Sequence, residues 1–258
     1  MATVLVEINK GVAILRLNRP EVFNSFNREM ALALQDHLDK CESDPTIRAI
    51  YLTGVGKAFC AGQDLTEAVD SSGPGIEAIV SEHYNPIIGR LRSIEKPIIG
   101  AVNGVAAGAG ANIALACDIC VATESASFIQ AFSKIGLIPD SGGTFTLPRL
   151  IGFQRATALM MLGDKVIAKD AEQMGMIYRS YPNEQFEEES MKLAIKLSEM
   201  PTKGLGLTKR GLNQSMASDL ATQLGNEMEL QVAATKTKDY REGVAAFMEK
   251  RAAIFKGE

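Results

Sequence analysis

The N-terminal part of the chain alternates short apolar runs with polar breaks. Val4–Ile8 and Val12–Leu17 are apolar runs separated by Asn9-Lys10-Gly11, a spacing that predicts two strands joined as a hairpin. Asn27 is a suitable N-cap for a helix, because apolar positions recur after it at helical spacing, namely Met30, Leu34, Leu38 and Cys41. Ile47–Leu52 predicts the next strand.

The pattern beyond residue 55 continues this alternation and then becomes helical. Strands are predicted over Pro97–Val102 and Ile119–Ala122, and helices over Ile76–Ile94, Leu147–Leu162 and Ala168–Met176. Val69–Gly75 is rich in serine, glycine and proline, which predicts a mobile loop. From Asn183 onward only helical patterns occur, the last over Tyr240–Phe255. The chain is therefore predicted to be an α/β domain with a helical extension.

Composition narrows the functional classes. The 258 residues are 46% hydrophobic and 22% charged, as in an ordinary globular protein, and the net charge of -4 gives no basic footprint for nucleic acid. The N-terminus lacks the pattern of a signal peptide, and no apolar run is long enough for a membrane span. We therefore expect a cytoplasmic protein without nucleic-acid or membrane partners. Four cysteines and two histidines predict reduced core thiols rather than a metal site.

Two small-residue turns are the candidates for chemistry. Asn103–Asp118 follows a predicted strand and enters a helix through glycines and alanines, and Lys57–Leu65 is a second such turn after a strand. A helix start presents unpaired N–H groups, and small residues let a ligand approach the backbone. Two such turns can direct two N–H donors at one carbonyl oxygen, each worth roughly 3 kcal/mol of barrier. The alternative is a tightly packed corner that binds no ligand.

Asp140 is the candidate base. Its neighbours Ile138, Pro139, Gly142 and Gly143 carry no charge. A carboxylate in apolar surroundings has a raised pKa, which suits proton transfer near neutral pH. The alternative is that Asp140 is the N-cap of a helix starting after Ser141.

The two turns resemble a known family. Phe59-Cys60-Ala61-Gly62-Gln63-Asp64-Leu65, together with Asn103–Gly110, is similar to the motifs of the enoyl-CoA hydratase/isomerase (crotonase) family. The similarity runs from Leu17 to Arg251. It implies a spiral of ββα units over residues 1–195 and a helical oligomerisation region over 196–258. It also implies homotrimers that often pair into hexamers, an acyl-CoA substrate and no separate cofactor or metal.

The resemblance also implies roles for individual residues. The oxyanion donors would be the backbone N–H groups of Gln63 and Ala109, with Asp140 as the catalytic acid. Residues matched to substrate and coenzyme A binding are Val22, Phe23, Asn24, Ala61, Gly62, Asp64, Leu65, Gly108 and Phe132. Phe247 and Lys250 match tail positions that reach the coenzyme A of a neighbouring subunit; without the resemblance they would be a core aromatic and a solvated charge.

Two departures from the family pattern favour isomerisation over hydration. Hydratases of the family use two glutamates, which would fall at Asn112 and Phe132, and neither is an acid here. Losing one such group costs hydration roughly a hundred- to ten-thousand-fold. Asp140 instead matches the single acid of family isomerases, and one carboxylate suffices to move a proton between two carbons. Phe132 would make the pocket wall apolar, unless it is only core packing.

Further stretches resemble one branch of the family, the isomerases that convert ring-1,2-epoxyphenylacetyl-CoA to its seven-membered oxepin form in phenylacetate degradation. These stretches are Asn103–Ala111, Ala131–Asp140, Met174–Ile177 and Asp239–Gly243. An enoyl-CoA hydratase, a straight-chain delta-3 to delta-2 enoyl-CoA isomerase and a non-catalytic partner of a pathway hydratase remain open as alternatives.

Overall fold

The strands form two sheets in the computed structural model, which describes residues 2–258. The six-stranded sheet has the order β1-β2-β3-β5-β7-β10, and the four-stranded sheet has the order β4-β6-β8-β9. The strands are β1 (Val4–Asn9), β2 (Val12–Leu17), β3 (Ala49–Gly54), β4 (Ala58–Cys60), β5 (Ile98–Val102), β6 (Val105–Ala107), β7 (Ile119–Thr123), β8 (Ser127–Ile129), β9 (Lys165–Ile167) and β10 (Arg179–Tyr181).

The inner strands of the larger sheet, β2, β3, β5 and β7, are buried on both faces. β1 and β2 form the predicted antiparallel hairpin, and every later pairing in this sheet is parallel. Because side chains alternate along a strand, Ala13 and Leu15 of β2 face the main core, while Val12 and Ile14 face a second apolar layer on the other side. Parallel strands covered on both faces are apolar at nearly every position.

Successive strand pairs contribute one strand to each sheet. β3 and β4, β5 and β6, and β7 and β8 each split in this way, and each pair is followed by helical structure before the next pair. This arrangement is a spiral of ββα units, and it confirms the predicted fold class.

The helices surround the two sheets. They are α1 (Arg28–Ser43), α2 (Leu65–Val69), α3 (Gly75–Ala78), α4 (Asn85–Ser93), α5 (Ala109–Ala116), α6 (Gly143–Ile151), α7 (Phe153–Leu162), α8 (Ala168–Gln173), α9 (Phe186–Ser198), α10 (Thr202–Ser215), α11 (Leu220–Ala234) and α12 (Lys238–Glu249). A π-helical segment, Ile79–Tyr84, joins α3 to α4, and Ala131–Ile135 is a 3-10 turn. The predicted cap of α1 is confirmed, since Asn27 Oδ1 accepts from the Met30 N–H at 3.0 Å.

Three predicted helix boundaries are wrong. The helix predicted over 147–162 is interrupted by Gly152, whose φ of +80° separates α6 from α7. α8 ends at Gln173 rather than 176, because Gly175 takes a φ of +79° in the loop before β10. The last helix ends at Glu249 rather than 255, because Lys250 adopts the left-handed conformation with φ +56°. In each case backbone conformation, rather than side-chain polarity, ends the helix.

The C-terminal helices are joined to the core by α9 and by a buried ion pair. α9 supplies Phe186 and Ala194 to the second apolar layer of the larger sheet. Lys209 of α10 donates to Asp118 at 2.8 Å, and Asp118 also accepts from the Ile98 N–H. The predicted division at residue 195 falls within α9.

The sequence also led to expectations about the state of the cysteines and about membrane-spanning segments. The four cysteines are buried free thiols, which confirms the prediction of core cysteines. Over residues 2–258, no helix has both the length and the apolar character that crossing a membrane would require.

Candidate active site

A cavity of about 230 Å³ lies between the two small-residue turns, the π-helical segment and the stretch that leads to α6. It is lined by eight of the predicted site residues, namely Ala61, Gly62, Gln63, Leu65, Gly108, Ala109, Phe132 and Asp140. The remaining six, Val22, Phe23, Asn24, Asp64, Phe247 and Lys250, lie outside it. The structure therefore brings together both predicted oxyanion donors and the predicted base.

The two small-residue turns are in direct contact at the cavity. A Cβ added to Gly62 would lie 3.0 Å from Ala107 O and 3.7 Å from Ala109 N, so only glycine allows this approach. A Cβ added to Gly110 would lie still closer to Cys60, 2.7 Å from its Cβ and Sγ. Within residues 2–258, neither the Gln63 nor the Ala109 N–H donates to a protein acceptor. Two free donors from two turns thus lie on one wall of the cavity, and such a pair can bind an oxyanion.

The loop before α1 is bonded to the first turn by its backbone. Ala61 N donates to Phe23 O at 3.0 Å, Phe26 N donates to Gly62 O at 2.7 Å, and Asp64 N donates to Phe26 O at 2.8 Å. This loop therefore fixes the path of the turn that presents the Gln63 N–H.

The side chains of this loop have structural partners. Asn24 is buried and donates to Ala58 O at 2.8 Å, whereas Phe23 is half exposed beside the turn. Asp64 pairs with Arg19 at 2.9 Å and caps α2 through the Thr66 N–H. Asn24 and Asp64 thus stabilise the turn, and any contact they make with coenzyme A stays a prediction.

Asp140 lies on the cavity wall with its carboxyl partly buried. Burial raises the pKa of this carboxyl, and a hydrogen bond of 2.8 Å from Ser141 Oγ to Oδ1 opposes that rise. The alternative interpretation as an N-cap is wrong: α6 begins at Gly143, its cap is Gly142, and no side chain caps it. The Asp140 carboxyl is consequently available for chemistry in the cavity.

Asn112 holds the Asp140 backbone in place. Its Nδ2 donates to Asp140 O at 2.9 Å, its Oδ1 accepts from Gln130 Nε2 at 2.9 Å, and it is 1% exposed. A Cβ on Gly143 would lie 2.8 Å from Asn112 Cγ, so α6 packs tightly on this amide. The sequence identified this position by the missing glutamate, but not its structural role.

The Gln63 side chain is fixed by a tyrosine whose role no sequence pattern indicated. Tyr84, at the end of the π-helical segment, is fully buried, lines the cavity and donates from its hydroxyl to Gln63 Oε1 at 2.8 Å. Gln63 Nε2 donates to Glu67 at 3.0 Å. Burial, with the nearby Asp140 charge, raises the pKa of Tyr84 well above its usual value. The hydroxyl therefore stays protonated and remains a donor to Gln63.

Phe132 and the tail residues Phe247 and Lys250 lie in different parts of the structure. Phe132 is buried and forms part of the cavity wall, 3.9 Å from the position of a Cβ on Gly108. Phe247 is 82% exposed and lines a separate concavity between α10 and α12, and Lys250 is exposed at the end of α12. Within one chain these two tail residues do not reach the Asp140 cavity.

Comparison with known proteins agrees with this architecture. The sequence profile of the family described as "Enoyl-CoA hydratase/isomerase" matches residues 7–258. The chain belongs to this family. It is 48% identical over the full length of both chains to a 1,2-epoxyphenylacetyl-CoA isomerase of Escherichia coli. It is also 36% identical to a trans-2-decenoyl-[acyl-carrier-protein] isomerase of Streptococcus mutans, over 99% of this chain and 98% of that one.

Solved structures show the same fold. An enoyl-CoA hydratase from Bacillus anthracis superposes with a TM-score of 0.92 at 33% identity, covering 99% of this chain and all of that one. The chain is thus an enzyme with the crotonase-like α/β fold and C-terminal helices, from a family of isomerases and hydratases.

Proposed function

We propose that this chain is an acyl-CoA isomerase in which Asp140 moves a proton while two backbone N–H groups stabilise the thioester oxygen. The Asp140 carboxylate takes a proton from the carbon next to the thioester carbonyl and returns it to another carbon of the same molecule. The charge that develops on the carbonyl oxygen is bound by the N–H groups of Gln63 and Ala109. The proton stays within the substrate–enzyme pair, so one acid completes the cycle.

The composition of the cavity wall is the observation that carries this proposal. Among the described residues that line it, Asp140 is the one with a carboxylate, and the unpaired Gln63 and Ala109 donors lie on the same cavity. Most of the other lining side chains are apolar: Leu65, Ala68, Ile76, Ile79, Ala131, Phe132, Ile135 and Leu137. Such a wall excludes water from the proton transfer and raises the basicity of the carboxylate.

The side chains at the two hydratase positions support isomerisation over hydration. Asn112 is an amide whose oxygen and nitrogen are both hydrogen-bonded to protein, and Phe132 is apolar. Hydration needs one group to activate water and another to protonate the α-carbon. Neither residue can do either task.

For the acyl group we propose the ring-1,2-epoxide of a phenylacetyl thioester, with the oxepin-CoA isomer as product in phenylacetate degradation. The carbon–carbon bond shared by the epoxide and the six-membered ring breaks, and its electron pair joins the ring π system. The proton that Asp140 moves from the α-carbon to a ring carbon then completes the isomer. The full-length similarity to the Escherichia coli 1,2-epoxyphenylacetyl-CoA isomerase supports this choice. The apolar wall around Phe132 suits an unsaturated ring. Coenzyme A enters as part of the substrate, and we propose no further cofactor.

We also propose that the active enzyme is a homotrimer or a hexamer in which Phe247 and Lys250 contact the coenzyme A bound by a neighbouring subunit. Both residues are exposed in the single chain. α11 has no buried residue and exposes Leu220, Leu224, Met228 and Val232. An exposed apolar helix face of this kind is typical of an interface between subunits. Light scattering at micromolar concentration measures the assembly, and a monomer would contradict it.

Product analysis of a panel of coenzyme A thioesters tests the proposed reaction. Wild type and Asp140→Asn are incubated with the ring epoxide, a linear 3-enoyl-CoA and crotonyl-CoA, and the products are identified by mass spectrometry and chromatography. We expect an Asp140-dependent isomer of unchanged mass from the ring epoxide. Faster turnover of the linear substrate would favour a straight-chain isomerase, and water addition to crotonyl-CoA would favour a hydratase. Absence of turnover of all three would favour a non-catalytic partner role.

A further inference from the structure

Ser141 combines an unfavourable backbone conformation with a bond to the proposed base. It is 2% exposed, and its φ of +52° lies in the left-handed region, which costs a non-glycine residue about 1–2 kcal/mol. Its hydroxyl donates to Asp140 Oδ1 at 2.8 Å. The cap of α6 does not explain the serine, because Gly142 occupies that position without a side-chain bond. Glycine would fit this backbone better, so the hydroxyl is the feature that needs an explanation.

We infer that Ser141 is the positioning residue of the catalytic carboxylate: its hydroxyl holds Oδ1 and leaves Oδ2 for the substrate proton. Over residues 2–258, Ser141 provides the side-chain hydrogen bond to this carboxyl. Asn112 holds the backbone of the same residue through its bond to Asp140 O. The carboxylate thus has one fixed oxygen and one free oxygen, the geometry that a single base needs in order to transfer a proton between two carbons.

The same bond also lowers the basicity of the carboxyl, against the larger effect of burial. Burial favours the protonated form of Asp140, and the Ser141 hydroxyl favours the ionised form. The other titratable groups around it are the Tyr84 hydroxyl on the π-helical segment, the Lys134 ammonium in the cavity lining and Glu67 behind Gln63. None of these three is hydrogen-bonded to Ser141, so substituting Ser141 breaks no hydrogen bond that they make.

Two substitutions separate this role from a purely structural one. Ser141→Gly removes the hydroxyl and relieves the strained φ, whereas Ser141→Ala removes the hydroxyl and keeps the strain. We expect both variants to shift the acidic limb of the kcat/KM profile upward by about one pH unit. Their thermal midpoints should differ, with the glycine variant the more stable of the two.

Lys10→Gly is the matched control, because Lys10 has a φ of +47° in the β1–β2 hairpin, outside the cavity lining. It should gain stability and keep the wild-type pH profile. If both Ser141 variants keep the wild-type limb, the inferred role is wrong, even when Asp140→Asn is inactive.

The inference rests on the proposed function of Asp140, and the two can fail separately. Full turnover by Asp140→Asn would overturn the proposed function itself. An inactive Asp140→Asn with unshifted Ser141 variants overturns only the positioning role. If Ser141 had only a structural role, activity would follow stability. The glycine variant would then keep the wild-type pH profile.

Discussion

The Asn112 side-chain amide donates to the backbone oxygen of Asp140 at 2.9 Å, although the two residues are 28 positions apart in the chain. The bond joins α5, whose first N–H is a proposed oxyanion donor, to the segment that presents the proposed base. The relative positions of donor and base therefore depend on a residue that contacts neither the thioester oxygen nor the moving proton.

Asn112→Ala tests this connection. The substitution removes one of the two hydrogen bonds to Asp140 O, which keeps the Gly143 N–H at 2.9 Å, and leaves Gln130 Nε2 without a protein acceptor. This loss should cost about 1–3 kcal/mol of the free energy of unfolding. A displaced carboxylate should lower kcat by about 10- to 100-fold. Urea unfolding and turnover measure the two effects, with Asn9→Ala at the exposed β1–β2 turn as the control. Wild-type kcat in Asn112→Ala would show that this bond does not position the base.

Gly62→Ala tests the contact between the two turns. The Cβ would lie 3.0 Å from Ala107 O at a φ of +99°, so the turn that presents the Gln63 N–H has to move. Loss of one oxyanion donor lowers kcat by about 10²- to 10³-fold, and we expect a fall of that size. Gly89→Ala in α4 is the control, because nothing lies within 4 Å of its Cβ. Equal kcat in the two variants would argue against the oxyanion site.

Tyr84→Phe tests whether the Gln63 side chain matters to the reaction. The variant removes a buried hydrogen bond of 2.8 Å to Gln63 Oε1 and should cost about 0.5–1.5 kcal/mol of the free energy of unfolding. Because the Gln63 peptide becomes less restrained, we expect kcat to fall several-fold with KM nearly unchanged. Tyr178→Phe, at an exposed tyrosine, should leave both constants unchanged. An increase in KM alone would instead assign Tyr84 to substrate binding.

The raised pKa of Asp140 predicts a stability effect with a definite sign. A folded-state pKa above the ordinary 3.8 means that the folded protein binds more protons than the unfolded chain between those two values. The contribution of this carboxyl to stability therefore falls as pH rises through that window. Asp140→Asn removes the charge and keeps an oxygen for Ser141, so it should be more stable than wild type at pH 7. The difference should disappear below about pH 4, and a pH-independent difference in urea midpoints would contradict the assignment.

The sequence predicted the parts of the fold that have regular, long patterns. The hairpin of β1 and β2, α1 with its Asn27 cap, and the buried strands β3, β5 and β7 are confirmed. The smaller sheet was missed because each of its strands is three residues long, too short for alternation to be visible. The Gly152 break was missed because isolated glycines also occur within helices.

The candidate site also has parts that the sequence predicted and parts that it did not. The small-residue turns and Asp140 were visible because their residue types are unusual for their positions. Tyr84, Ser141 and the hydrogen bond from Asn112 were not, since each acts through a partner that only the folded chain brings within reach. An aromatic residue at a buried helical position has the same pattern whether it is core or lines a cavity.

The proposed mechanism depends most directly on the single carboxylate. The decisive measurement is the single-turnover rate of wild type and Asp140→Asn with the coenzyme A thioester of ring-1,2-epoxyphenylacetate, with circular dichroism to confirm that both are folded. We expect a loss of about 10²- to 10⁴-fold in the variant, the range for removing a general acid–base group. A folded Asp140→Asn that converts this thioester at the wild-type rate would contradict it.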